Sequence, residues 1–221
     1  PLSATLDIQG SGSWLAGFNI YRMTKDWVEG TGASSPLDGA TWSTSNGNTA
    51  WTAGGEYSVK LNTNAIVGTG GGGISHDVTD LTAAWLSGQY PNYGVSINST
   101  GEIGTVKFES SDDSTASNRP KITFNYLVPC GTTGPADPPP ITTLTLNPIA
   151  DSFNDSGAQL ANNGAATTVK VYYTPTRENR ILMQFDTSSI PTGATIQSAN
   201  LRTYVSAVGS ATANTKPIWA N

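Results

Sequence analysis

Short runs in which apolar and polar residues alternate dominate the chain. They occur at Thr5–Ile8, Tyr57–Leu61, Gly94–Ile97, Thr105–Phe108, Lys121–Tyr126, Thr168–Tyr172 and Leu201–Val205. A period of two places successive side chains on opposite faces of a strand, one buried and one wet. Turn signals separate the runs: Asn46-Gly47, Gly54-Gly55, Gly70 to Gly73 and Asn163-Gly164. Many short strands between Gly/Asn turns predict an all-β sandwich or barrel.

One segment breaks this pattern. From Asp77 to Gly88 the chain reads DVTDLTAAWLSG, with Val78, Leu81 and Trp85 on one helical face. Asp77 is placed to cap, Asp80 suits the first turn and Gly88 the stop. The spacing predicts one short helix plugging the sandwich with Trp85 buried. Residues 128–141, VPCGTTGPADPPPI, carry five prolines and no alternation. They predict a stiff, extended linker. The lone cysteine, Cys130, lies in it, either as an incidental thiol or as a cross-link to a neighbouring chain.

Composition narrows the classes. The formal charge is −5 and only 12% of the 221 residues are charged. An acidic chain with 11 Lys and Arg lacks the positive field that tracks phosphates, so nucleic acid is not an expected partner. No stretch reaches the roughly 18 apolar residues of a membrane span. One Cys permits no internal disulfide, and no Cys/His zinc spacing exists.

The chain also repeats itself. Ser3-Ala4-Thr5-Leu6-Asp7-Ile8 parallels Ser198-Ala199-Asn200-Leu201-Arg202-Thr203. Each is followed by a Gly/Ser-rich stretch and a second apolar run, Phe18–Tyr21 and Lys216–Trp219. The offset of about 195 residues suggests that head and tail begin at the same place in a repeat. Residues 1–127 are then the later part of one domain, 128–144 a linker and 145–221 the earlier part of the next.

The tail residues ENRILMQFDTSSIPTGATIQSANL (178–201), with Asn179-Arg180-Ile181-Leu182 as the signature strand, resemble the extracellular DNRLRE repeat domain. Ala150-Asp151-Ser152-Phe153 resembles its opening strand. The head carries later landmarks in order, from Trp27-Val28-Glu29-Gly30-Thr31 through Trp42, Trp51 and Trp85 to Arg119-Pro120-Lys121-Ile122. The resemblance implies a secreted, jelly-roll-like antiparallel β-sandwich, often in tandem; some relatives are treated as carbohydrate-binding modules of polysaccharide lyases.

The reversed order of the two parts leaves three arrangements. The tail closes on its own head as a circular permutant, the tail of one chain completes the head of the next, or the chain is a window of a longer array. The duplicated hairpin favours the second and third, because a permutant has no use for a second copy. The expected function is therefore structural: a non-enzymatic extracellular or cell-surface filament or tandem-repeat subunit, its partners copies of itself joined head to tail. Burial of Ile181, Leu182, Phe185, Ile190 and Leu201 would drive assembly, with Trp14 and Trp219 as aromatic anchors. The alternative is a non-catalytic carbohydrate-binding module.

Candidate chemistry is sparse. A Ser-His-Asp site would have to be built on the single histidine, His76. In the resemblance, carboxylates such as Glu29, Glu56 and Asp80 fall at turn or cap positions, and the family implies no glycoside hydrolysis. Polysaccharide contacts fall to Trp14, Tyr90 and Tyr93. Calcium, which takes clustered oxygens, falls to Asp112, Asp113, Asp151 and Asp155. Asn98-Ser99-Thr100 and Asn154-Asp155-Ser156 match the N-glycosylation pattern.

Overall fold

The structure is a computed structural model that describes residues 14–32, 38–68, 72–99, 103–128 and 141–208. It is an all-β sandwich with one short helix. The strands are β1 (Trp14–Met23), β2 (Tyr57–Gly68), β3 (Gly72–Asp77), β4 (Val95–Ser99), β5 (Ile103–Glu109) and β6 (Lys121–Leu127) in the head. The tail adds β7 (Ile141–Leu146), β8 (Ala150–Asp155), β9 (Thr168–Thr174), β10 (Arg177–Gln184) and β11 (Thr195–Val208). Every ladder between them is antiparallel.

The tail strands interleave with the head strands of the same chain. Neighbours run β2-β1-β4-β10-β9-β5-β11-β6-β7, with β3 also on β11 and β8 also on β10. Two tail strands make this possible. Strand β10 pairs with β9 at Arg177–Asn179 and with β4 at Ile181–Met183. Strand β11 pairs with β6 over Thr195–Arg202 and with β5 from Val205. The pairings that a neighbouring copy was expected to supply are thus made within one chain.

Alternation explains the core. Phe18 and Ile20 (β1), Val95 and Ile97 (β4), Val106 and Phe108 (β5), Ile122 and Phe124 (β6), Val169 and Val171 (β9), Ile181 and Met183 (β10) and Ala199 and Leu201 (β11) all point into one cluster. Phe18 and Phe108 meet edge to face at 5.6 Å. Each of these side chains except Ala199 contributes about 1.5–3 kcal/mol on burial.

The helix α1 (Thr79–Leu86) buries Leu81 and Trp85 against this cluster, as the spacing predicts. Its cap differs from expectation. Val78 occupies the N-cap, and Asp77 ends β3, where its Oδ1 accepts the Thr79 N–H (2.9 Å) and hydroxyl (2.6 Å). Gly88 follows the helix at φ +73°, the left-handed stop that glycine permits.

Candidate functional site

One sheet face is not part of the main core. On β8, β10, β4 and β1 the residues between the core positions are Ser152 and Asn154, Arg180 and Leu182, Ser96 and Asn98, and Asn19, Tyr21 and Met23. The register sets Asn154 opposite Arg180, and Asn98 opposite Asn19. It also sets Leu182 between Ser152 and Ser96, and Ser96 opposite Tyr21. This is an unusually polar face for a covered sheet.

The cover is the long β1–β2 connection. Trp27, Ala40 and Trp51 from it form a second apolar cluster with Met23 and Leu182, and Tyr57, Tyr93 and Ala150 pack against it. Indole N–H groups staple it down. Trp27 Nε1 donates to Tyr93 O at 3.0 Å, and Trp51 Nε1 to Thr41 O at 3.1 Å. Asn162, from the tail, pins the same connection. Its Nδ2 donates to Glu29 O (2.6 Å) and Ala40 O (3.0 Å), and its Oδ1 accepts the Gly32 N–H (2.8 Å).

Between this cover and β10 opens a cleft of about 450 Å³, lined by Thr24, Thr52, Ala53, Gly55, Glu56, Tyr57 and Arg180. Arg180 forms its wall. The guanidinium lies 5.0 Å from the Trp42 ring and 5.2 Å from the Tyr57 ring. Glu178 holds it in a bidentate pair at 2.8 Å on both arms, and Nη1 donates to Ala53 O at 3.2 Å. Tyr57 packs on Tyr21 at 4.7 Å and shares a hydrogen bond with Asn98. Burial raises the Tyr57 pKa above the ordinary tyrosine value, with Arg180 opposing. Glu56 accepts from Lys25 Nζ at 3.4 Å.

Beneath Gly55, the sheet face carries unused polar capacity. Asn154 is fully buried, and both its amide atoms lack a hydrogen-bond partner. A Cβ built on Gly55 would stand 3.9 Å from Asn154 Nδ2 and 3.8 Å from Trp51, so Gly55 lies directly over it. Asn19 Oδ1 and Ser152 Oγ on the same face are likewise unpaired. Buried polar atoms are normally satisfied.

A second polar centre joins the halves where the cover meets β8. Glu29 Oε1 accepts the Asp151 N–H at 2.9 Å, and Asp151 accepts the Ser111 N–H. The second oxygen of Asp151 is buried and unpaired. Burial raises Glu29 to about 7, with the charges of Asp151 and Asp112 adding to it. Burial likewise raises Asp151 to about 6, and Asp112 adds to this. Asp155 behaves differently. Burial pushes it up, but a two-point bond from Arg177 (3.0 and 2.6 Å) holds it below the usual range. Of the four acids considered for calcium, Asp112 is exposed near Asp151, Asp113 is half-buried, and Asp155 is engaged by Arg177. Among the described residues no group of three His, Cys, Asp or Glu side chains is placed to hold a metal ion.

The other predicted positions are distributed through the fold. Ile181, Phe185, Ile190 and Leu201 lie in the main core and Leu182 in the second cluster. Trp14 begins β1 opposite Gly68. Trp219 and Cys130 lie outside the described residues. Tyr90 is exposed at 38%, with Arg22 stacked over its ring at 3.9 Å. Tyr93 is half-buried beside Trp27. Neither Tyr90 nor Tyr93 lines the cleft. Asn98 and Asn154 are buried, so neither glycosylation motif presents its amide. His76 is buried in β3, and burial lowers its pKa to about 4. The alternation pattern placed Tyr57 at the start of a strand but marked neither it nor Arg180 nor Thr52 as a site residue. The signal available for Arg180 was a charged residue standing between the buried positions Asn179 and Ile181.

No helix among the described residues is long and apolar enough to cross a membrane. No curated protein and no solved structure matches the chain. Residues 142–220 match the model of carbohydrate-binding module family 96, a stretch that takes in β8 to β11 and leaves β1 to β6 outside it.

Proposed function

We propose that this chain is a non-catalytic carbohydrate-binding domain that acts outside the cell and grips a polysaccharide in the cleft between the β1–β2 cover and β10. The observation that carries the reading is the cleft itself, whose wall residue Arg180 belongs to the segment matching a carbohydrate-binding family. Its lining suits sugars. Thr24, Thr52 and Glu56 offer hydroxyl and carboxylate partners for ring hydroxyls, and Tyr57 offers an aromatic surface. Sites of this kind are concave, with a few polar groups that fix orientation. The DNRLRE-type resemblance belongs to the same reading, since its signature strand supplies Arg180.

The test is affinity electrophoresis against a panel of neutral and acidic polysaccharides, followed by calorimetry on any that retard the chain. Tyr57→Ala is expected to weaken binding about 10- to 30-fold, the range of an aromatic anchor. An unchanged circular dichroism spectrum would separate this from unfolding. Retardation by no polysaccharide, or equal binding by Tyr57→Ala and the parent, overturns the reading.

The assembly reading rests on a different observation. Tail strands β9, β10 and β11 complete the head through core contacts, and a neighbouring copy's tail can make the same pairs by domain exchange. Size-exclusion chromatography distinguishes the forms. Polymers favour exchange between copies, and a monomer favours closure within one chain.

A further inference from the structure

Strand β11 fills a slot between β3 and β6, pairing with β3 over Asn200–Val205 and with β6 over Thr195–Arg202. Three features of that seating are imperfect. Arg202 stands directly opposite Lys121, and like charges at facing positions repel. Thr203 is buried, and its hydroxyl has no hydrogen-bond partner. Asn200, facing Thr123, is a poor strand former.

The chain carries a second segment of the same pattern, residues 3–8. Aligned on the repeat, it keeps what the slot uses over residues 198–203, while Gly10 stands where the core residue Val205 does. Ser3 replaces Ser198, which accepts from Asn125 Nδ2 at 3.0 Å, while Ala4 and Leu6 replace the core residues Ala199 and Leu201. It changes the three imperfect positions, each favourably. Asp7 faces Lys121 in place of Arg202, Ile8 replaces the buried Thr203, and Thr5 replaces Asn200.

We propose that the slot between β3 and β6 takes the chain's own residues 3–8 in competition with residues 198–203, and that residues 3–8 are the better fit. Connection length supports the chain's own segment as the occupant. At the far end of the slot Val205 pairs with Gly72, and Trp14 pairs with Gly68. The β2–β3 connection crosses that gap in the four steps from Gly68 to Gly72. Gly10, aligned with Val205, is also four steps from Trp14. With residues 3–8 seated, residues 195–208 are displaced from β3 and β6 and become a surplus strand able to pair elsewhere.

Cysteine trapping in the full chain tests this. In a Cys130→Ser background, Thr5→Cys with Thr123→Cys reports one occupant, and Asn200→Cys with Thr123→Cys reports the other. Facing strand positions are within disulfide reach. The expected result is an intramolecular 5–123 disulfide in higher yield than 200–123. A 200–123 disulfide alone overturns the proposal, and a 5–123 disulfide found only between two chains overturns its own-chain occupancy. Hydrogen exchange gives a second reading without cysteines. Amides of residues 3–8 are expected to be protected, and Arg202→Asp, which removes the repulsion from the competitor, should lower that protection about two- to five-fold. Unprotected amides in residues 3–8 overturn the proposal.

Discussion

Replacing Asp151 with Asn should give the chain a steep dependence of stability on pH that the parent lacks. Asp151 is raised from 3.8 to about 6, because it is buried beside Asp112. The folded chain therefore holds a proton between those values that the unfolded chain releases. Stability falls as pH rises through this window, by about 3 kcal/mol at 1.36 kcal/mol per unit. His76 works in the opposite sense. Burial lowers it from 6.5 to about 4, so the folded imidazole stays neutral where the unfolded one is charged. Its contribution is lost as pH falls from 6.5 to about 4, again about 3 kcal/mol. Glu29 adds to the Asp151 side between 4.5 and about 7, but it is half-buried and solvent screening reduces its share. The two large contributions nearly cancel in the parent. In Asp151→Asn the amide oxygen can still accept the Ser111 N–H, and the histidine limb remains, opposed only by the screened share of Glu29. Urea unfolding at pH 4 to 6.5 should show the parent varying by about 1 kcal/mol and the variant gaining about 2 kcal/mol as pH rises. Equal slopes for the two proteins would refute the opposed-titration argument.

Two further substitutions probe the join between cover and tail. Asn162→Ala removes the bonds to Glu29, Ala40 and Gly32 at once and leaves buried backbone groups unpaired, for a loss of about 2–4 kcal/mol in urea unfolding. It should also speed hydrogen exchange across residues 28–40 relative to β6. Gly94→Ala should also destabilise, because Gly94 is buried. Gly94 sits at φ +81°, and an added Cβ would come 2.0 Å from Met183 O on β10. The expected result is a fall in melting temperature of about 4–8 °C, as for a loss of roughly 2 kcal/mol in a chain of this length.

The strand inventory was largely legible because alternation reports directly which face is buried. Residues 121–126 read as a strand and form β6 with the burial pattern the sequence implies. Strand β3 was not legible. It carries Gly72, Gly73 and His76, and its place depends on pairing with β11 rather than on its own propensity. The partner of each strand was also hidden, since a period of two fixes a face and not a neighbour. Trp27, Trp42 and Trp51 stand out in the sequence as landmarks, and they are buried. What the sequence could not convey is that they belong to a cover laid over the outer polar face of a sheet. The cleft follows from that placement. Arg180 becomes a wall only because Ala53 and Trp42 arrive from about 130 residues away to meet it.

The location of the cleft links the two functional readings physically. Thr52, Gly55 and Tyr57 come from the head and Arg180 from the tail, so the site is complete only where the two halves are paired. Any ligand held there stabilises the paired state over the separated one, by about 2.7 kcal/mol at a hundred times its dissociation constant. This holds whether β10 comes from the same chain or from a neighbour, because the contacts are the same. Sugar binding alone therefore cannot separate a closed monomer from an exchanged polymer. A tandem of Tyr57→Ala and Arg180→Gln chains can. Neither variant alone carries a full cleft, whereas exchange of tails between them restores one intact cleft for each doubly damaged one. Recovery of binding on mixing after shared unfolding and refolding would require pairing between chains, and its absence would leave closure within one chain as the state that binds.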